Sequence, residues 1–230
     1  MTISVIIPTL NEDTVLADTL TQTSALRFDE IVVVDGGSTD RTMPMAHAFC
    51  DRIPSSRVLT APRGRAWQMN AGAAASRGEI LLFLHADTRL PAQARDAIET
   101  ALADPRAVGG RFDVRFDRPS AWGYLISTLM NGRSRLSGIA TGDQAIFVRR
   151  GSFIQAGGFA DIPLMEDIDF CRRLKRLGRL IALRHIVTTS FRRWDRHGPL
   201  RTILLMWTLR FLYWIGVSPQ RLQRFYAATR

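Results

Sequence analysis

Ile80-Leu-Leu-Phe-Leu-His-Ala-Asp-Thr88 is the stretch on which the fold turns. Five apolar residues in succession, with no polar alternation, read as a short strand buried on both faces, as in a parallel sheet. Polar chemistry follows at once in His85, Asp87 and Thr88. In an open α/β sheet, ligands bind outside the carboxyl ends of the strands, so this His-x-Asp stands where a ligand or a metal would be held. The plainer reading is a link to the next helix, with Asp87 or Thr88 capping it ahead of Pro91.

The neighbouring segments repeat the pattern. Upstream, residues 4–7 form a β-branched strand that Pro8 is expected to close, since proline cannot extend a central ladder. A turn over 9–12 leads into helical spacing over 12–26. Residues 30–34 are a second buried strand, ending in Asp35-Gly-Gly-Ser-Thr-Asp40, where glycine permits unusual backbone and Ser38 or Thr39 can cap the helix that follows. A weaker strand over 57–60 and, after Arg63-Gly64-Arg65, an Ala-rich helix through Ser76 complete the approach. Strand, helix, strand, helix with short links means a right-handed parallel α/β sheet.

Downstream the period changes. A helix to about Ala103 precedes residues 108–116, whose alternation predicts a half-exposed strand, and then a helix over 121–130. Gly142-Asp143-Gln144 leads into a strand over 145–149. Met165-Glu-Asp167 opens a helix stopped by Gly178, followed by a strand over 180–188 and a basic loop over 190–198. Without a linker or repeat, residues 1–200 read as one continuous domain, with 201–230 a C-terminal apolar helical tail.

Composition sets bounds. The chain has 230 residues, 46% of them hydrophobic, enough for one substantial core. Cys50 and Cys171 lie far apart and outline no disulfide framework. The first residues lack a basic n-region and a long apolar run, so a cytoplasmic location, peripheral to the inner membrane face at most, is the expectation. The net charge of +10 is carried almost wholly by arginine and favours polyanions: nucleic acid, anionic headgroups or a phosphorylated substrate. Nucleic acid ranks last, for want of aromatics interleaved on a strand or of a recognition helix. Residues 203–217 are nearly all apolar but too few, with Arg210 inside, to span a bilayer comfortably. They are expected to be helical, either buried against the domain or a second copy, or lying in a membrane surface with Trp207, Tyr213 and Trp214 as anchors.

Asp35 and Asp87 each follow a buried strand, and Pro8-Thr-Leu-Asn-Glu12 follows a third. A carboxylate after the second strand is placed to reach a ribose or base, which a nucleotide ligand explains together with the positive charge. No Gly-x-Gly-x-x-Gly or Gly-Lys-Ser/Thr is present at these turns, so the phosphates would be held otherwise, and a divalent metal between Asp87 and a diphosphate is the natural way.

The ordered set Val5-Ile-Ile-Pro-Thr-Leu-Asn-Glu12, Val32-Val-Val-Asp-Gly-Gly-Ser-Thr-Asp40, Phe83-Leu-His-Ala-Asp87, Met165-Glu-Asp167 and Arg193-Trp194 resembles family 2 glycosyltransferases of the GT-A fold, over residues 3–197. The run Arg63-Gly-Arg-Ala-Trp-Gln-Met-Asn-Ala-Gly72 is similar to the bacterial subgroup called radical-SAM/selenodomain-associated transferases. The resemblance implies a Rossmann-like, mostly parallel sheet flanked by helices, with 1–115 a nucleotide-binding half and 116–200 an acceptor half, and inverting transfer of a sugar from a nucleotide-sugar donor to a hydroxyl acceptor. It places Pro8, Thr9, Asn11, Glu12, Asp35, Gly36, Gly64, Arg65, Asn70, His85 and Ala86 at the nucleotide and a manganese or magnesium ion on Asp87. Asp167 becomes the base, with Glu166, Arg193 and Trp194 beside the chemistry. Two departures stand out. The family's Asp-x-Asp is here His85-Ala-Asp87, leaving one carboxylate where two are usual. The Gln-x-x-Arg-Trp of processive enzymes is Ser190-Phe-Arg-Arg-Trp194, which gives no ground for polymer synthesis, although Arg192 and Arg193 suit a departing diphosphate. The alternative is a non-catalytic diphosphate-binding or membrane-docking module with a degraded metal site.

Overall fold

Apart from half-buried Pro8, every residue of β1 (Ile3–Thr9), β2 (Glu30–Asp35) and β4 (Ile80–Phe83) is buried. The structure, a computed structural model, describes residues 1–228, and of Arg193, His197, Ala227 and Ala228 only the backbone. Successive strand side chains point to opposite faces. Ile3, Val5, Ile7, Ile31, Val33 and Leu82 therefore enter one core with residues of α1 (Leu16–Ala25), α2 (Thr42–Cys50) and α4 (Ala94–Ala101). Ile6, Val32, Val34, Leu81 and Phe83 enter a second with residues of α3 (Arg65–Ala75), α6 (Arg150–Gln155) and α7 (Glu166–Leu174). Each such side chain removed from water contributes about 1.5–3 kcal/mol, so a two-faced strand demands helices on both sides.

With β3 (Ser56–Thr60), the short β5 (Thr88–Arg89), β6 (Ala107–Phe116), β7 (Ile146–Arg149) and β8 (Arg179–Thr189), these strands form one eight-stranded sheet in the order β3-β2-β1-β4-β7-β6-β8-β5. The four on the β3 side are parallel, β7 runs against both its neighbours, β6 and β8 are parallel, and β5 runs against β8. The α/β expectation holds, with a mixed sheet in the second half.

Several local expectations are corrected. β1 does not stop at Pro8, which pairs with Val34. Ile6 O accepts from Leu84 N on the β4 side, so Pro8, two residues on, turns its missing donor toward that same side, beyond the end of β4. β6 is buried rather than half-exposed, because it lies between β7 and β8 and its polar members pair with each other: Arg111 binds Asp113 and the carbonyls of Phe112 and Asn131. The expected loop over 190–198 contains a helix, α8 (Arg192–His197). α5 (Ala121–Ser137) runs further than predicted, to the left-handed Gly138. The tail is two helices, α9 (Pro199–Trp214) and α10 (Pro219–Ala228), packed together through Leu209, Leu222 and Tyr226.

Gly72 sets how closely α3 approaches the sheet. A Cβ there would lie 2.5 Å from Ile6 Cγ2 and 3.0 Å from Val34 Cγ2. Gly72→Ala is expected to lower stability by about 1–3 kcal/mol in urea titration, despite alanine's roughly 1 kcal/mol helix preference, because overpacking outweighs propensity. A more stable variant would show that α3 moves freely over the sheet.

Candidate active site

The parallel strands β1, β2 and β4 end side by side, so the segments after Thr9, Asp35 and Phe83 meet at one edge of the sheet. Gln68 of α3, fully buried, joins the first two by donating from Nε2 to Thr9 O (2.7 Å) and Val34 O (2.9 Å). Gly36 lies against it, since a Cβ there would come 3.0 Å from Gln68 Cδ. Neither the spacing nor the charge pattern around Gln68 marked it beforehand. A polar residue on the sheet-facing side of an Ala-rich helix was the available signal.

Asp35 is 1% exposed, and its carboxylate is spent on its own turn. Oδ2 accepts from Gly37 N and Ser38 N, each at 2.8 Å, and Oδ1 accepts from the Ser38 hydroxyl. Asn11, in the left-handed region at φ 55°, links the two loops: its N–H donates to Ser38 Oγ (2.8 Å) and its Oδ1 accepts from Thr39 N (2.9 Å). Pro8, Thr9, Asn11, Asp35 and Gly36 are thus brought together, with Asp35 acting on the loop from beneath. Gly64, at φ 146°, opens α3 and sets Arg65 on its first turn.

Asn70 is elsewhere occupied. It clasps the backbone of Phe159 in both directions, Nδ2 to O at 2.8 Å and N to Oδ1 at 2.9 Å, tying α3 to the chain after α6. Trp194 likewise packs in an apolar cluster, its ring 5.9 Å from Phe116 and 6.2 Å from Phe191. The side chain of Arg193 lies outside the described residues.

After β4, Ala86 is buried and its carbonyl accepts from Thr19 Oγ1 at 2.6 Å, which turns His85 and Asp87 the other way. Asp87 Oδ2 lies 3.2 Å from Arg192 Nη2, and the same nitrogen donates to Glu12 Oε2 at 2.5 Å. One guanidinium thus bridges two carboxylates from different strands. Burial raises the Glu12 pKa, and Arg192 offsets only part of it.

The 3-10 turn Gly142–Gln144 joins this point to the second half. Asp143 Oδ1 lies 3.0 Å from His85 Nδ1, which places the ring proton on Nδ1. Gly142 packs against the other side of the ring, where a Cβ would come 2.2 Å from Nε2, and its N–H donates to Asp167 Oδ2 at 3.1 Å. Asp167 Oδ1 accepts from Ile168 N at 2.7 Å. Burial, and then the charge of Glu166 beside it, push the Asp167 carboxyl up to about 6. Arg65 Nη1 stands 4.0 Å from Glu166 Oε1. Desolvation opposes the charge of Arg65, but Glu166, Asp143, Asp167 and Asp87 outweigh it and raise its pKa. On the far side Arg133 of α5 feels Asp167 as well, and its buried Nη2 has no hydrogen-bond partner among the described residues. Sequence reading missed Arg133 and the bridging part of Gly142, because both depend on contacts between distant segments.

Against known proteins, residues 4–160 match the family model described as Glycosyl transferase family 2. The undecaprenyl-phosphate 4-deoxy-4-formamido-L-arabinose transferase of Pseudomonas paraeruginosa is 33% identical over 166 residues, covering 67% of this chain and 48% of that protein. The probable glycosyltransferase YdaM of Bacillus subtilis is 28% identical over 201 residues, covering 76% and 47%. The chain therefore spans about half the length of these curated relatives. Among solved structures, S. aureus TarS 1–349 in complex with UDP-GlcNAc superposes with a TM-score of 0.65 at 18% identity, covering 83% of this chain and 58% of that one. The mannosyltransferase PcManGT from Pyrobaculum calidifontis, in complex with GDP-Man and Mn2+, gives 0.62 at 21%, covering 98% and 79%.

Asp35→Ala would remove the acceptor of two backbone donors and a hydroxyl on a turn where Gly37 is exposed and Ser38 half-buried, at about 0.5–1.5 kcal/mol for each hydrogen bond lost. Thermal unfolding should show a loss of about 2 kcal/mol or more, whatever happens to ligand binding. An unchanged melting temperature would mean that the loop holds its shape without the carboxylate.

Proposed function

The chain belongs to glycosyl transferase family 2, and from that we propose that it is an enzyme transferring a sugar, with inversion, from a nucleotide-sugar donor to a hydroxyl of its acceptor. The observation carrying this reading is the bridge Asp87–Arg192–Glu12 at the strand ends, joined through His85, Asp143 and Gly142 to a carboxyl held near 6. The arrangement offers a diphosphate site and a base on either side of one short turn. The complexes of TarS with UDP-GlcNAc and of PcManGT with GDP-Man support a nucleoside diphosphate sugar as the donor class.

In this reading Pro8, Thr9, Asn11 and Glu12 line the base and ribose on a loop that Asp35 and Gln68 hold in shape, with Gly36, Gly64 and His85 close by. Residues 1–115 form the donor half and 116–200 the acceptor half, with 201–230 added outside. The run 63–72 supports the radical-SAM/selenodomain-associated subgroup, since it builds the start of α3 at the site. The acceptor hydroxyl, approaching opposite the diphosphate, gives its proton to Asp167 as its oxygen bonds to the anomeric carbon. The bond from that carbon to the diphosphate oxygen breaks, and the nucleoside diphosphate leaves with the electron pair. A single displacement of this kind inverts the centre. Glu166 keeps the Asp167 carboxyl basic enough to take the proton, and Arg65 steadies the acid pair. Arg192 faces the charge that grows on the leaving group.

Among the described residues no group of three or more His, Cys, Asp or Glu could hold a metal. Even so, the donor set at Asp87 fits one hard cation: two carboxylates already share a guanidinium there, and a diphosphate brings further oxygens. Asp87 would hold a manganese or magnesium ion, with Glu12 in reach, and the ion would neutralise the diphosphate. The sharing of Asp87 and Glu12 by Arg192 also favours a second reading, in which arginine takes the metal's place. Addition of chelator separates them. Loss of nucleoside diphosphate release, restored by manganese, supports the ion; full activity in chelator assigns the charge to Arg192.

A donor screen by mass spectrometry, reading nucleoside diphosphate release, tests the function, and a chain that binds no nucleoside diphosphate would refute it. Asp167→Asn should lower the rate by about 10²–10⁴ while leaving donor affinity near the parent's, and Glu166→Gln should fall less. Because the base must be ionised, kcat/KM of the parent should rise with pH through about 6 and level off above it. A flat acid limb in the parent would remove Asp167 from the role and leave Asp143 as the candidate.

A further inference from the structure

The tail helix α9 has two apolar faces. Its inner face, with Thr202 and Leu209 buried, packs against Met165 and α10. At 100° per residue, Leu200, Leu204, Trp207, Phe211, Trp214 and Ile215 fall on the outer arc, and each is more than half exposed. Ile203, on the flank, meets Ile126 and Met130 of α5 in one cluster, and α5 adds exposed Trp122, Leu125 and Leu129. The face is therefore wider than one helix. Contiguous apolar surface of this size marks a docking site rather than ordinary exposure.

We propose that this face docks the chain on an anionic lipid bilayer, with α9 lying in the plane of the interface. Charge selects this occupant. Arg201 and Arg210 project at the two edges of the outer arc, about 180° apart, and α10 adds Arg221 and Arg224. After Asp195 the sequence contains no acid at all. A second copy placed on this face through a two-fold axis would bring arginine rims together with no tail carboxylate to meet them. Lipid phosphates meet both rims at once, and the two tryptophans suit the headgroup level. Spanning is excluded by length and charge. The 16 residues of α9 reach about 24 Å, short of a core about 30 Å thick, and no helix of the described residues is long and apolar enough to cross a membrane.

The inference does not depend on the proposed chemistry, and its test reads partition alone. The full chain is mixed with vesicles of phosphatidylcholine, or of phosphatidylcholine with phosphatidylglycerol, and floated on a density gradient. The parent should rise with the anionic vesicles and much less with the neutral ones. The double variant Trp207→Ser/Phe211→Ser should lose about 100-fold in partition to anionic vesicles. Arg201→Gln with Arg210→Gln should lose about 25-fold on anionic vesicles and almost nothing on neutral ones. Circular dichroism and the thermal unfolding transition check that each variant is folded. Parent protein that stays at the bottom of both gradients overturns the proposal. So does sedimentation showing a dimer that Trp207→Ser/Phe211→Ser dissociates, which would assign the face to a second copy.

Discussion

Two-sided burial of β1, β2 and β4 is the constraint from which the rest follows. A strand with Ile, Val and Leu on both faces leaves no room for function along its length, and helices must cover it above and below. Polar groups can enter only where the strands stop. Thr9 and Asp35 are the last residues of β1 and β2, His85 to Asp87 lie just past the end of β4, and parallel register places them together. The site is where the apolar requirement ends, and Gln68 holds the strand ends by satisfying two carbonyls there.

The second half of the chain supplies charge to this edge at a cost in backbone strain. Of the non-glycine residues with positive φ, Asn11, Ala145 and Met165 flank the site, while Arg27 does not. Such conformations cost about 1–3 kcal/mol each and persist where surrounding bonds determine them. Met165 at φ 71° lets α7 begin with Glu166 and Asp167 in its first turn, where the helix dipole favours negative charge. Burial, and then the charge of Glu166 beside it, nonetheless prevail for Asp167, leaving a carboxyl that releases its proton near 6 rather than 4.

What the sequence made legible was what local pattern encodes. The unbroken apolar run 80–84 specified a buried strand, and the loops after it followed from topology. Residues whose roles depend on distant partners were hidden or misread. Alternation over 108–116 suggested exposure, yet Arg111 is buried because Asp113 and two carbonyls satisfy it. Asn70 lies in a run that resembles a family's nucleotide-binding segment, but its amide is closed on Phe159, 89 residues away. Trp194 follows an arginine in a motif-like pair and packs with Phe116 and Phe191. His85 stands in the place of the family's first carboxylate; its partner Asp143 arrives from another segment, and no spacing rule connects them.

The tail shows a different limit. Amphipathicity is read from contrast, and α9 has little: apolar residues lie on nearly every side, with arginines at two opposite edges. Sequence alone leaves burial and interface as rival readings, because each needs an apolar arc. The structure buries one arc and leaves the other exposed. Thr202 and Leu209 face the protein, and Leu204, Trp207 and Phe211 face outward. The arginines fall on the boundary because a long side chain can lay its stem along apolar surface and keep its charge in water. Inner packing fixes the helix's rotation about its axis, and with it which residues are left outside. Met165, the residue that starts α7, belongs to that inner cluster. The packing that orients the outer face thus also supports the turn from which Glu166 and Asp167 project.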